Sequence, residues 1–286
     1  VTPVAETAGI VLVGGRSSRM GTPKAALEWH GSTLLRRVTG IVARAVDGPV
    51  VVVRAPGQEL PELGAGVEVV EDAREGKGPL QGIAAGLARA REDAAAAYVS
   101  STDVPFLHPR FVRSVLGRLD DETDVVLPEV RGYPQPLSAA YRTALADEVE
   151  RLIAAERMRP AFLFEVCRVR RVDAAALLAD PALAALDPDL DSVLNVNKPG
   201  DYEGARGRPA PEVTVRRFGV LRRTGDGVPD PALVCAATLG EAAAAAGVSL
   251  DEHVVAALNG DQITRDPQAP LVAGDTVAFL SADAGG

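Results

Sequence analysis

The chain has 286 residues, 47% of them hydrophobic, and a formal net charge of −9. That length supports one large or two ordinary domains with full cores, and no apolar run reaches the length needed to cross a bilayer. The acidic balance argues against a nucleic-acid binder, because beyond the loop from Arg16 to Lys24 only short Arg-Arg pairs offer positive charge.

Residues 1 to 7 lack the basic and apolar regions of a signal peptide, and the two cysteines, Cys167 and Cys235, make neither a disulfide framework nor a metal quartet. A cytoplasmic protein is expected. The apolar run Ile10-Val11-Leu12-Val13 predicts a buried strand of a parallel sheet. It breaks at Gly14-Gly15 into a loop that holds Arg16, Ser17, Ser18, Arg19, Gly21 and Lys24. Paired glycines let backbone N–H groups approach a ligand closely, and two arginines and a lysine add charge where an anion would sit. The pattern is a phosphate grip, although its spacing is neither that of a Walker loop nor that of a dinucleotide fingerprint.

Ser32 is expected to cap a helix whose apolar positions Leu34, Leu35, Val38, Ile41, Val42 and Ala45 share one face. Strands are predicted at Val50 to Val53 and Val67 to Val70. Asp72 follows the latter, then a glycine-bearing loop, then Pro79 in the first turn of a helix through Ile83, Leu87 and Ala90. Tyr98 to Thr102 reads as a strand ending at Asp103, where a carboxylate at the carboxyl end of a parallel strand is placed to meet a ligand. Asp124 to Pro128 and Leu137 to Tyr141 read as strand, turn and strand. Helices near Thr143 to Ala155 and Ala174 to Leu186 flank a strand at Cys167 to Val172, and Asn195 and Asn197 follow in a loop. Alternating strands and helices predict an α/β fold with a mostly parallel sheet.

The run Leu12, Gly14, Gly15, Ser17 or Ser18, Arg19, Met20, Gly21, Lys24 and Leu27 resembles the signature of nucleotidyltransferases related to molybdenum cofactor guanylyltransferase, the MobA family, with Val13 where alanine is usual. Further segments match. Gly78-Pro79-Leu80 with Gly82 resembles the family's base-contacting Gly-Pro-Leu-x-Gly. Ser101 to Phe106 resembles Cys-Asp-x-Pro-Phe/Tyr, and Leu194 to Asp201 resembles Asn-Val-Asn-Thr-Pro-Glu-Asp. Gln135 stands where the family shows histidine. The resemblance covers about residues 8 to 205 and implies a Rossmann-like nucleotidyltransferase fold, with helices on both faces of the sheet. It also implies Arg19, Lys24 and Asp103 as catalytic residues, and nucleotide contacts from Leu12 through Ser18, Arg19, Gly21, Lys24, Asp72, Gly78, Pro79, Leu80 and Gly82. Asp103 and Asn197 would hold Mg²⁺, and Gln135, Asn195 and Asn197 would position the second substrate.

Residues 206 to 212, with two prolines, read as a linker. Beyond it a strand at Val213 to Val220, a helix at Thr238 to Ala246, and strands at Val254 to Asn259 and Thr276 to Leu280 precede a Gly285-Gly286 end. This stretch, residues 213 to 286, resembles the ubiquitin-like sulfur carriers of the MoaD and ThiS type, a β-grasp fold whose Gly-Gly carboxylate is adenylated and thiocarboxylated. Together the two resemblances imply transfer of GMP from Mg·GTP to molybdopterin with release of pyrophosphate, fused to a sulfur carrier. The carrier's expected partners are an E1-like adenylyltransferase and the large subunit of molybdopterin synthase. Thr22-Pro23-Lys24 also occurs in cytidylyltransferase relatives, so CTP stays open as the donor. A sugar phosphate as acceptor and an inactive transferase half that serves as a scaffold stay open as well.

Overall fold

The computed structural model describes residues 7–14, 23–72, 78–222 and 229–281. They fall into two units, Val1–Leu27 with Leu34–Tyr202, and Glu28–Thr33 with Glu203–Gly286. Among the described residues, no helix is long and apolar enough to cross a membrane.

The first strand, β1 (Thr7–Leu12), is buried on both faces after Thr7, as a central parallel strand must be. The chain then makes a small hairpin, β2 (Glu28–Trp29) and β3 (Ser32–Thr33), before α1 (Leu34–Ala43). Ser32, expected as a helix cap, is instead paired with Trp29. His30 and Gly31 both take positive φ between them, which suits a two-residue hairpin turn. There follow β4 (Val50–Arg54), β5 (Val67–Glu71), α2 (Pro79–Ala90) and β6 (Ala96–Ser101), close to expectation. Next are α3 (Pro109–Leu116), β7 (Val125–Val130), β8 (Tyr133–Pro134), β9 (Ser138–Arg142), α4 (Ala146–Ala154), α5 (Pro160–Leu163) and β10 (Val169–Asp173). The helix expected over Ala174 to Leu186 is two, α6 (Ala174–Leu178) and α7 (Pro181–Leu186), because Pro181 cannot continue a helix and Asp180 caps the second one. Helix α8 (Pro199–Arg206) ends the stretch and occupies the start of what reads as a loop and linker.

The central sheet runs β10-β7-β9-β6-β1-β4-β5, with β8 beside β7. The pairs β6·β1, β1·β4, β4·β5 and β7·β10 are parallel, whereas β9 runs antiparallel to β6 and β7. Helices cover both faces, and two adjacent residues of β1 show why. A Cβ on Gly86 of α2 would meet Ile10 Cγ2 at 2.5 Å, and a Cβ on Gly9 would collide with Val42 of α1. Neighbouring strand residues point to opposite faces, so α1 and α2 lie on opposite sides. Leu80, Ile83 and Leu87 of α2 join Ile10, Leu12, Val51 and Val53 in one buried cluster.

The other unit contains β11 (Glu212–Arg217), β12 (Ala232–Cys235), α9 (Leu239–Ala245), β13 (Val254–Leu258), β14 (Gln262–Thr264) and β15 (Thr276–Ser281). Its five-stranded sheet has the order β12-β11-β15-β13-β14, with β11·β15 parallel and the other pairs antiparallel. Strands β12 and β14 are additions to the four elements expected. The strand expected over Val213 to Val220 stops at Arg217, and Gly219, at φ +59, opens a 3-10 turn to Arg222. Thr238 caps α9 by accepting from Glu241 N, and Leu239, Ala242 and Ala243 pack with Val213, Val215 and Phe279.

Candidate nucleotide site

In an open parallel sheet, ligands sit outside the carboxyl ends of strands, where adjacent strands send the chain off in opposite directions. Here that point lies between β1, which leads on to β4, and β6, which leads on to β7 on the other side. Thr102, just past β6, ties the crevice together: its N and Oγ1 both donate to Leu12 O, at 3.3 and 3.0 Å. A cleft of ≈ 960 Å³ opens there, lined by Leu12, Val13 and Gly14 from β1 and its exit, and by Ser101, Thr102 and Asp103 from the end of β6. That volume is ample for a nucleotide.

Four side chains from three distant parts of the chain meet in it. Lys24 Nζ donates to Asp103 Oδ2 at 2.8 Å and to Asn197 Oδ1 at 2.8 Å. Asn195 Nδ2 donates to the other carboxylate oxygen, Asp103 Oδ1, at 2.9 Å. The backbone helps hold this alignment, with Val196 N donating to Asp103 O at 2.9 Å. The side chains of Lys24 and Asp103 are only 19% and 15% exposed, so their charges interact with less screening than a surface pair would. The carboxylate and carboxamide oxygens converge on one ammonium. A hard cation asks for the same kind of oxygen donors, with phosphate oxygens and waters completing the shell, so the residues fit a divalent ion. Among the described residues no group of three or more His, Cys, Asp and Glu stands together as a closed metal site would require.

The cleft is also lined by Asp72, Gly78, Pro79 and Gly82. Asp72 N donates to Arg54 O at 2.8 Å, which carries the chain past the end of β5 beside β4. Gly78 takes φ +102 as the residue before α2, a conformation that a side chain would strain. A Cβ on Gly82 would stand 3.1 Å from Leu12 Cδ2, so the small residue lets α2 approach β1 at the cleft floor.

Two expected residues stand elsewhere. Leu80 is fully buried in the core under the sheet and does not line the cleft, because its position on α2 faces β1 and β4. Gln135 is also absent from the lining; its Nε2 donates to Tyr133 O at 3.1 Å within its own hairpin turn. Gly15, Arg16, Ser17, Ser18, Arg19 and Gly21 lie outside the described residues, as do Gly285 and Gly286. Several lining residues were missed by motif reading: Val53 and Arg54 at the end of β4, Ala55 and Gln58 just after it, and Leu137 before β9. Arg54 braces its loop, with Nη1 donating to Gln58 O at 2.8 Å and Nη2 to Glu71 Oε1 at 3.1 Å. The signal for them was the strand itself, since β4 ends at the same sheet edge as β1.

Cys167, half-buried, has its thiol pushed up to about 11 by burial and by the carboxylates of Asp124 and Glu148. It stays protonated near neutrality and offers no thiolate nucleophile. What the cleft can do chemically is bind a polyanion, hold a cation against it and exclude part of the solvent.

A mostly parallel sheet with this polar cluster in a cleft at its switch point has the architecture of an α/β enzyme. More narrowly, the chain belongs to the family of MobA-like NTP transferase domains, which matches residues 9–169, and it is thereby a nucleotidyltransferase. The molybdenum cofactor guanylyltransferase of Desulfosudis oleivorans is 33% identical over 198 residues, 69% of this chain and 93% of that protein. The solved structure of molybdopterin-guanine dinucleotide biosynthesis protein A from Archaeoglobus fulgidus is 27% identical, with a TM-score of 0.53 over 70% of this chain and 96% of that one. The 4-diphosphocytidyl-2C-methyl-D-erythritol synthase of Anaerococcus prevotii, at 12% identity, shares the fold, with a TM-score of 0.51 over 71% of this chain and 95% of that one.

Proposed function

We propose that the chain transfers GMP from Mg·GTP to the terminal phosphate of molybdopterin and releases pyrophosphate. The observation that carries this reading is the convergence of Lys24, Asp103 and Asn197 within the cleft. The names of the Desulfosudis and Archaeoglobus relatives support the acceptor and the base.

In this mechanism an oxygen of the acceptor phosphate attacks the α-phosphorus in line, and the bond to the bridging α,β-oxygen breaks. Phosphoryl chemistry of this kind asks the protein for positioning and charge more than for covalent help. Val13 and Gly14 bring backbone against the triphosphate, and the loop that follows supplies Arg19 and further amides. Lys24 offsets charge as it builds on the leaving pyrophosphate. A Mg²⁺ ion held by Asp103 and Asn197 would neutralise phosphate oxygens and keep the triphosphate in one pose. Asn195 orients Asp103 by donating to the oxygen that Lys24 does not use. Gly78 and Pro79 lie against the base, and Asp72 closes that end of the site.

The test is turnover with molybdopterin as acceptor and GTP or CTP as donor, followed by pyrophosphate release. GTP should be preferred, and Asp103→Ala should abolish the reaction. A CTP preference would overturn the base, and release with sugar phosphates but not with molybdopterin would overturn the acceptor. Activity that survives in Asp103→Ala would overturn the mechanism.

A second reading, for the C-terminal unit, is favoured by its topology. Five strands in the order β12-β11-β15-β13-β14, a parallel central pair and one helix after the first hairpin suit a β-grasp sulfur carrier. Its partners would be an E1-like adenylyltransferase and the large subunit of molybdopterin synthase, with the thiocarboxylate on Gly286.

A further inference from the structure

Asn195 and Asn197 lie on a segment that neither a strand nor an α-helix carries, yet both carboxamides stand within hydrogen-bond distance of their partners. The segment is held from behind by a buried carboxylate outside the cleft. Asp187, just after α7 and 8% exposed, accepts from Asp191 N at 2.7 Å on Oδ1 and from Ser192 N at 3.1 Å on Oδ2. Ser192, fully buried, in turn accepts on Oγ from His108 N at 3.0 Å. His108 caps α3 a few residues past Asp103.

The segment is thus pinned twice to the stretch from Asp103 to His108, through Ser192 at one end and through Val196 N, which donates to Asp103 O, at the other. Between Asp187 and Asp191 the buried Leu190 takes φ 51 and ψ 45. A leucine holds that left-handed conformation only where surrounding contacts impose it. Both Asp187 oxygens are used at once as acceptors; an asparagine would present one acceptor and turn an NH₂ against an N–H.

We infer that Asp187, acting through Ser192, is a positioning residue of the nucleotide and cation site, setting the distance from Asp103 at which Asn195 and Asn197 are held. The inference rests on the nucleotidyl-transfer reading. Asp187 does not line the cleft, so its effect passes through the segment that carries the two asparagines.

The experiment measures Mn²⁺ affinity by titration calorimetry in the presence of a non-hydrolysable GTP analogue, using the full chain. Asp187→Asn should weaken Mn²⁺ binding about tenfold, the usual scale for groups that orient metal ligands, with the circular dichroism spectrum unchanged. In a background carrying Asn195→Ala and Asn197→Ala the same substitution should cost less than about twofold, because the carboxamides it positions are gone. A merely structural role would instead give the same loss in both backgrounds, and that result overturns the inference. So does wild-type affinity in a folded Asp187→Asn protein. If Asp187→Asn does not fold, Ser192→Ala carries the same cycle, with a smaller loss that must also vanish in the double background. A wild-type chain that binds no Mn²⁺ with the analogue overturns the nucleotidyl-transfer reading and this inference with it, whereas loss in the asparagine variants alone overturns only this one.

Discussion

At the residue scale, Lys24 joins parts of the chain that lie far apart in sequence. Its ammonium bonds a carboxylate and a carboxamide, 79 and 173 residues along the chain. In the proposed reaction the same charge faces the departing pyrophosphate. Lys24→Met keeps the apolar stem and removes the donor, so kcat/KM for GTP should fall about 100-fold, the scale of one lost charge-stabilising donor. Mn²⁺ binding should persist, since Asp103 and Asn197 are intact. Steady-state pyrophosphate release and calorimetry check both halves, and unchanged kcat/KM would remove Lys24 from the mechanism. The motif spelled out this residue type and its neighbourhood. It did not reveal that Asn197 shares it, because that pairing exists only once the segment after Ser192 is folded against β6. Gln135 shows the reverse: its position in the motif order suggested the cleft, but carbonyls of its own turn are nearer and take its amide.

At the element scale, the placing of α2 against β1 shapes the cleft floor, and glycine makes it possible. Gly86→Ala would gain about 1 kcal/mol of helix propensity. It would also force a Cβ to 2.5 Å from Ile10 Cγ2, a fully buried side chain with little room to shift. Overpacking of that kind costs about 1–3 kcal/mol, so the net change should be destabilising. Gly204→Ala is the control. That residue sits on α8, exposed, and an added Cβ there would have nothing within 4 Å. It should stabilise by up to about 1 kcal/mol. Urea denaturation of the two variants should therefore shift midpoints in opposite directions; a stabilised Gly86→Ala protein would contradict the packing argument. Local signals served well where a strand was continuous and apolar, as in β1 and β4. They failed where a strand is short, as in β12 and β14, or where a proline divides a helix, as between α6 and α7.

At the scale of the whole molecule, each unit has its own buried cluster, one centred on Ile10, Leu12 and Val51 and the other on Val213, Val215 and Phe279. Among the described residues these two clusters match one of the two arrangements, one large domain or two ordinary ones, that a chain of this length supports. The carrier reading of the second unit makes a prediction that does not depend on transferase activity. Incubation with the adenylyltransferase, ATP and a sulfur donor should give an intact-mass gain equal to sulfur replacing oxygen at the Gly286 carboxylate. No gain, or the same gain after deletion of Gly285 and Gly286, would exclude it.

The sequence by itself determined the α/β class of the first unit, the glycine-rich exit from β1 and the chemical types gathered for a nucleotide. Those features depend on local periodicity and on residues close together in the chain. Only the tertiary structure decided the order of the sheet, with β9 inserted antiparallel beside β6, and the meeting of Lys24, Asp103, Asn195 and Asn197. The same is true of the burial of Leu80 and of the tie between Ser192 and His108. These are contacts between segments far apart in sequence, and which of them form is settled by how helices and strands pack, not by the preferences of any one stretch.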